Sequence, residues 1–276
     1  PKRTIENLRA LGVIFFNSNQ NVTIPFIYLR IVLENLWKDG LTQDIYYDKI
    51  IDLWTKISMP YVHLSWENFE AFTLVHTMLR GKALLKLGYS STTLKDYFSS
   101  ANVISTNIEL LKINIRERIY VELQNRWPNN ENQWPVARIA NQSLHTEQLL
   151  GSIVLNASGS PFDGFEFVEV SGKRKTKKYA LLAHQYKHIT EGGTKLTFKK
   201  IAEAQNKINS SIEKWKQLDS GDKELQALKK SITSVITVIY TNRQITGTPL
   251  MHTNLAVICN PEHFGPFKSF IKFFSK

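Results

Sequence analysis

One run of predicted elements constrains the fold of this chain more than any other feature. Three hydrophobic segments read as strands, and a long amphipathic helix and further apolar strands follow them. The order αβββαβ, with strands that are apolar along nearly their whole length, predicts an α/β sheet covered on both faces. The predicted elements are a helix at 142–150, strands at 153–156, 165–170 and 179–188, helices at 197–218 and 222–231, and strands at 234–240 and 254–258.

The first hundred residues predict a different, mainly helical module. Helices are expected at 42–58 and 65–87, and the strand–turn–strand–helix pattern of 5–30 is typical either of a winged helix or of a hairpin at a domain edge. Residues 90–107 are rich in Ser, Thr and Asn, which favours a domain boundary near 102. We therefore expect a helical module at 1–101 and an α/β domain at 102–276, in which 110–123 forms a strand and 127–135 a loop.

Composition limits the classes of function. The chain carries 35 Lys and Arg against 24 Asp and Glu, a formal charge of +11, which favours polyanions but also anionic membranes and acidic proteins. Cys259 is the single cysteine, which excludes an intrachain disulfide and a zinc cluster built on cysteines. No apolar run reaches the length of a membrane span, and no signal-peptide pattern occurs. The sequence starts at Pro1 rather than Met, which leaves open a leader or a further domain before it.

Three polar residues on two of the predicted strands form the candidate catalytic and metal site. Asp163 precedes the second strand, and Gln185 and Lys187 lie on the third, where alternation gives them the same face and Tyr186 the other. If the two strands are neighbours, the three side chains converge at one end of the sheet. Asp163 and Gln185 offer the hard oxygen ligands that suit Mg²⁺ or Mn²⁺, and Lys187 could stabilise the charge that develops on a phosphate.

Further polar residues near this stretch have two interpretations each. Glu147, on the preceding helix, is either an auxiliary catalytic residue or a solvated one. Glu169 shares the strand face of Asp163 and could act as a substitute metal ligand. His184 and His188 lack a third ligand and predict packing or polar sheet contacts rather than zinc. The lysines of the long helix line its solvent face or a DNA-facing flank. A basic run is a solvated turn, a nuclear-import signal or a nucleic-acid contact; its members are Lys173, Arg174, Lys175, Lys177 and Lys178.

The spacing of Asp163 and Gln185-x-Lys187, together with the element order, resembles the PD-(D/E)xK fold, the restriction-endonuclease-like fold. Several short motifs also resemble the Crinkler effectors of fungi and oomycetes, in which a P-loop NTPase often precedes such a nuclease domain. Those in the second half are at 159–163, 184–187, 239–243 and 261–267, and those resembling the tail of the NTPase are at 11–16 and 63–70.

The resemblance implies a metal-dependent DNA endonuclease, secreted as an effector and acting in the host nucleus. DNA is then the expected partner and no membrane is involved, while host nuclear proteins and a second copy of the chain stay open as partners. Two departures from the family matter. No Gly-x-x-x-x-Gly-Lys-[Ser/Thr] motif occurs, so the chain is not a complete NTPase of that type, and Gln185 replaces the commoner acidic ligand. A catalytically degenerate module that binds nucleic acid or a host protein is therefore the alternative.

Overall fold

The computed structural model describes most of the second half of the chain and parts of the first. The described residues are 15–16, 22–23, 66–86, 88–98, 101–103, 109–122, 146–156, 160–172, 177–187, 195–218, 221–241, 245–247 and 256–259. The elements up to residue 122 are β1 (Phe15–Phe16), β2 (Val22–Thr23), α1 (Trp66–Lys86), β3 (Ser91–Thr93), α2 (Leu94–Tyr97), β4 (Asn102–Val103), β5 (Lys112–Asn114) and β6 (Ile119–Glu122). Those that follow are α3 (Thr146–Leu150), β7 (Ser152–Leu155), β8 (Gly164–Val170), β9 (Lys178–Lys187), β10 (Leu196–Thr197), α4 (Phe198–Gln217), α5 (Lys223–Ser231), β11 (Ile232–Thr241), β12 (Ile245–Thr246) and β13 (Ala256–Cys259).

A mixed sheet of nine strands lies at the centre of the part of the chain that the structure describes. Its main path runs β3-β5-β8-β9-β11-β13-β4, and β6 and β7 branch from it beside β8. The pairs β7–β8 and β8–β9 are antiparallel, whereas β9–β11 and β11–β13 are parallel. Parallel neighbours need a crossover connection, and α4 and α5 supply it between β9 and β11. The chain is therefore mixed α/β, in agreement with the predicted fold class at that level.

The crossover helix α4 forms because its sequence has a cap and one apolar stripe. The hydroxyl of Thr197 accepts a hydrogen bond from the Lys200 N–H at 3.3 Å, which satisfies a backbone group that has no partner inside the helix. The buried positions of α4 recur at helical spacing and join strand residues in one core. That core includes Phe165, Phe167, Leu181, Ala183, Ile208, Ile212 and Trp215. Burial of this stripe holds α4 against one face of the sheet.

Helix α1 and Gly164 mark the opposite face of the sheet. Leu74 of α1 is fully buried, and a Cβ added to Gly164 would lie 2.9 Å from its Cδ1 and 2.8 Å from the Val154 carbonyl oxygen. The Thr77 hydroxyl also lies 3.1 Å from that of Tyr240 on β11. The close approach of helix and strand therefore requires glycine at the start of β8.

Strand β8 has two different neighbours along one edge, and Arg118 fills the fork between them. Its residues 164–166 pair with β7, whereas Glu169 and Val170 pair with β5. The buried Arg118 donates from Nη2 to the Phe167 carbonyl at 3.3 Å, which lies between the two ladders. Arg118 Nη1 is also 2.7 Å from the carboxylate of Glu166, which is fully buried. One guanidinium thus pairs a strand carbonyl and a buried charge.

Most of the predicted elements of the second half are confirmed. Strands β7, β8, β9, β11 and β13, and helices α3, α4 and α5, match the predicted segments. The strand character predicted for 110–123 is confirmed in part, because the range holds two separate strands, β5 and β6, which lie on either side of the fork. In the first half, α1 and the antiparallel pair β1–β2 match the sequence pattern. The winged helix, the helix at 42–58 and the loop at 127–135 lie outside the described residues.

The predicted boundary between residues 101 and 102 stays a prediction, and contacts cross it. Strand β3 pairs with β5 in the main sheet, and the Tyr97 hydroxyl accepts a hydrogen bond of 3.0 Å from Arg118. Leu74 and Thr77 of α1 also contact β8 and β11. Residues 66–98 therefore share the core of the α/β sheet.

Candidate functional site

Asp163 is held at the start of β8 by the loop that precedes it. Phe162 is fully buried and contacts Phe165 edge to face at a ring-centroid distance of 5.9 Å. Asn156 donates its backbone N–H to the Asp163 carbonyl at 2.8 Å and its side-chain amide to the Phe162 carbonyl, also at 2.8 Å. The Asp163 N–H in turn donates to the His184 carbonyl at 3.0 Å. The backbone of Asp163 is thus fixed on both sides, and its carboxylate has a defined position.

Gln185 and Tyr186 bind the Asp163 carboxylate directly. Gly164 is opposite His184 in the antiparallel pair β8–β9, so Asp163 comes opposite Gln185 and their side chains share a face. The Gln185 side-chain amide donates to Asp163 Oδ2. The Tyr186 backbone N–H donates to the same oxygen at 2.7 Å. The predicted convergence of Asp163 and Gln185 is therefore present.

Lys187 lies at the end of β9 on the same face. As a diagonal neighbour of Asp163 across the strand pair, its backbone is about 7 to 8 Å from that of Asp163. Its own carbonyl accepts a hydrogen bond from the Thr241 hydroxyl at 3.0 Å, which ties the strand end to β11. Its positive charge acts on the Asp163 carboxyl. The site thus combines one carboxylate, one amide and one ammonium group.

Burial raises the pKa of Asp163 above its ordinary value. The Tyr186 N–H, the charge of Lys187, the Gln185 amide and the charge of Lys207 on α4 each favour the ionised carboxylate, but together they do not offset the loss of water. Ionising Asp163 in the folded protein therefore costs free energy, and an additional cation beside it would lower this cost.

The donor set fits one hard divalent cation with few protein ligands. Mg²⁺ is commonly held by one or two carboxylates together with waters and substrate phosphates. Asp163 supplies one carboxylate, and Gln185 supplies an amide oxygen once its terminal amide turns, a torsion that is soft in glutamine. Among the described residues, no cluster of three or more His, Cys, Asp or Glu occurs that could hold a metal ion. Any metal here would therefore depend strongly on the substrate for its remaining ligands.

Two carboxylates that the sequence linked to this site lie elsewhere. Glu147 is exposed on α3 and lines an open groove of about 680 Å³ with Lys177, Lys178 and Lys230. Val170 pairs with Lys178, so this groove lies at the other end of β8, about 24 Å from Asp163 at about 3.4 Å per residue. Glu169, beside that end, pairs with Arg116 and accepts from the Asn114 amide at 2.9 Å. The structure does not bring Glu147 or Glu169 to Asp163.

The predicted basic run is described only in part. Lys177 and Lys178 border the groove at the far end of β9, while Lys173, Arg174 and Lys175 lie outside the described residues. Lys177 is exposed and Lys178 is half-buried. The two described members are thus at the end of the sheet opposite the candidate site.

A buried polar network lies behind the site, on the α1 face of the sheet, and includes His184, for which packing or polar sheet contacts were predicted. His184 is fully buried, stacks on Tyr240 at a centroid distance of 5.7 Å and lies 3.2 Å from its hydroxyl through Nδ1. His184 Nε2 is 3.5 Å from Glu166. Burial alone would raise the pKa of Glu166, but the charge of Arg118, with His184 and Tyr97, holds it below its ordinary value. Strand alternation put His184 and Glu166 on this face; only their burial and shared partners were missing.

Comparison with known proteins adds no relative to these observations. No family model, curated protein or solved structure matches the chain. Within the described helices, none has both the length and the apolar character needed to cross a membrane.

Proposed function

We propose that this chain is a metal-dependent nuclease that hydrolyses phosphodiester bonds in DNA, with Asp163, Gln185 and Lys187 as its active site. The observation that carries the proposal is the hydrogen bond between Gln185 and Asp163 at one end of the β8–β9 pair. Lys187 follows two residues after Gln185 on the same strand face, and its charge acts on the Asp163 carboxyl. The antiparallel strands β7, β8 and β9, the crossover helices and the parallel strand β11 are also the order expected of a restriction-endonuclease-like core.

Each residue has a distinct role in this proposal. Asp163 and Gln185 would hold Mg²⁺ or Mn²⁺, which supplies a Lewis acid and an acidic bound water when it is present. Lys187 stabilises the negative charge that grows on the phosphate oxygens during attack. The hydrogen bonds to the backbone of Asp163 keep its carboxylate in position for that phosphate. Glu147 has no part in this arrangement.

The wider biological setting rests on the sequence alone. The Crinkler resemblance and the basic run at 173–178 support an effector secreted from its source and acting on DNA in a host nucleus. Host nuclear proteins and a second copy of the chain are further partners in that setting.

One observation favours a second function, a nucleic-acid binding module without catalysis. Asp163 is engaged by the Gln185 amide and the Tyr186 N–H, and burial raises its pKa, all of which weaken it as a metal ligand. In this case the lysines near the site would bind phosphate without cleaving it.

Plasmid cleavage distinguishes the two functions. Supercoiled DNA is incubated with the full chain and Mg²⁺, Mn²⁺ or EDTA, in parallel with Asp163→Ala, Lys187→Ala and the distant control Glu147→Ala. The nuclease proposal expects nicking by the wild type and by Glu147→Ala with metal, and none by the other two variants. Equal cleavage by wild type and Asp163→Ala assigns the activity to another source, and DNA binding without cleavage under any metal supports the binding module.

A further inference from the structure

A row of three lysines follows one flank of α4. Lys200, Lys207 and Lys214 are all exposed. Seven residues advance an α-helix by about 10.5 Å and return the side chain to within about 20° of the same direction, so the row forms a stripe about 21 Å long. The ion pairs found among the described residues do not include these three ammonium groups.

The stripe passes beside the candidate site. Ile208, next to Lys207, packs in one core cluster with Phe165 and Ala183, which flank Asp163 and Gln185 on β8 and β9. The charge of Lys207 is close enough to favour ionised Asp163. Lys200 and Lys214 extend the positive charge along the helix in both directions from that point.

We propose that the stripe of Lys200, Lys207 and Lys214 binds the phosphate backbone of duplex DNA and guides it past Asp163 and Lys187. The proposal rests on the proposed function, because it gives a path for the substrate of that site. Over about 21 Å of helix axis, one DNA strand offers about six phosphates at 3.4 Å each, enough for three evenly spaced ammonium groups. Lysine recognises phosphate as a point charge and carries no base information, so the contact does not depend on sequence.

DNA fits this flank better than an anionic membrane does. The exposed positions next to the stripe include the polar Glu203 and Ser210, and the exposed apolar Leu218 lies beyond the end of α4. The flank therefore offers no continuous apolar face to insert among lipids. Glu203 also lies between Lys200 and Lys207 along the helix, where it repels phosphate. Its removal should therefore strengthen DNA binding, in the opposite direction to removal of the lysines.

The test compares two charge-matched variants of the full chain. One replaces Lys200, Lys207 and Lys214 with Gln, and the control replaces the exposed Lys95, Lys112 and Lys223 with Gln. Both lower the formal charge from +11 by three, to +8. Binding to a fluorescein-labelled duplex of about 24 base pairs is measured by anisotropy in EDTA, between about 50 and 200 mM KCl. EDTA keeps the measurement independent of cleavage.

The expected result is a salt slope flatter by about 2.7 in the stripe variant, at about 0.9 per lost phosphate contact, and unchanged in the control. Glu203→Gln should tighten binding. Equal slopes in the two variants, or no DNA binding by the wild type, would overturn the stripe even if plasmid cleavage succeeds. Stripe-dependent binding to phosphatidylserine vesicles with unchanged DNA binding would also overturn it. If the salt slope of DNA binding is flatter in the stripe variant but the wild type cleaves no plasmid, the stripe is supported and only the proposed nuclease activity is rejected.

Discussion

The carboxylate of Asp163 accepts a hydrogen bond from the side-chain amide of Gln185, its opposite neighbour on the adjacent strand. The bond joins the two residues proposed to hold the metal. In the free protein it stabilises the ionised form of Asp163, which burial destabilises. The Tyr186 N–H contributes a second bond to the same oxygen. The pair thus satisfies its hydrogen bonds without metal, and binding of the proposed metal would require the Gln185 amide to turn away from Asp163.

Asp163→Asn should stabilise the protein and abolish cleavage. Because the folded state holds the Asp163 proton more tightly than the unfolded chain, the cost of ionising this buried carboxyl lowers stability as pH rises from the ordinary carboxyl pKa of about 3.9 through the raised one. Asparagine keeps the oxygen that accepts from Tyr186 and removes this cost, about 1.4 kcal/mol for each unit of pKa. Urea unfolding at pH 4 and pH 7 measures it. Glu169→Gln, on the same strand, is the control and should not stabilise; a less stable Asp163→Asn at pH 7 contradicts the prediction.

Gln185→Glu should make stability strongly dependent on metal. The substitution removes the donor to Asp163 and sets two carboxylates together, which repel each other without a cation and offer two anionic ligands with one. The melting temperature should fall in EDTA and rise with added Mg²⁺ or Mn²⁺ by more than in the wild type. The exposed Gln217→Glu has the same change of charge and serves as control. The same metal response in both variants would show that Gln185 is not a ligand.

Arg118→Met should be among the most destabilising substitutions of a charged residue in the described part of the chain. Without the guanidinium, the fully buried Glu166 is left without its closest cation, a loss of about 3–5 kcal/mol. Arg116→Met is the matched control, since its partner Glu169 is partly exposed and such a pair contributes about 1 kcal/mol or less. Adding Glu166→Gln to Arg118→Met should recover part of the loss. Chemical denaturation of the wild type, the two single variants and the double variant measures the free energy of unfolding. Equal losses of stability in Arg116→Met and Arg118→Met would refute the prediction.

Residues 66–98 should be needed for folding of the α/β sheet. A fragment of 102–276 lacks Tyr97, Leu74 and Thr77, which contact Arg118, β8 and β11. We expect a fragment of 61–276 to melt cooperatively and one of 102–276 to lose cooperativity, which circular dichroism and calorimetry can measure. A sharp transition for 102–276 would instead support the domain boundary at residue 102.

The sequence was most informative where a short pattern decides the structure. Alternation along β9 separated Gln185 and Lys187 from Tyr186, and the hydrophobic stripe of α4 predicted its buried face. Arg118 and Glu166 were out of reach, because their burial depends on a fork between strands far apart in sequence. Glu147 illustrates the same limit. Glu147 lies far from Asp163 because β7 and β8 are antiparallel, and the sequence around α3 does not show in which direction these strands pair.

The pairing of β4 with β13 has a consequence for synthesis on the ribosome. Asn102 pairs with Ile258, so this edge of the sheet cannot close until residue 258 has been made. At about 5 to 20 residues per second, the intervening residues take about 8 to 30 s to appear, far longer than a helix takes to form. During that time β4 lacks its partner strand β13, and α1 lacks its contact with Tyr240 until β11 has been made. Limited proteolysis of ribosome-stalled chains of increasing length tests this, and β4 should become protected only in chains long enough for β13 to have emerged.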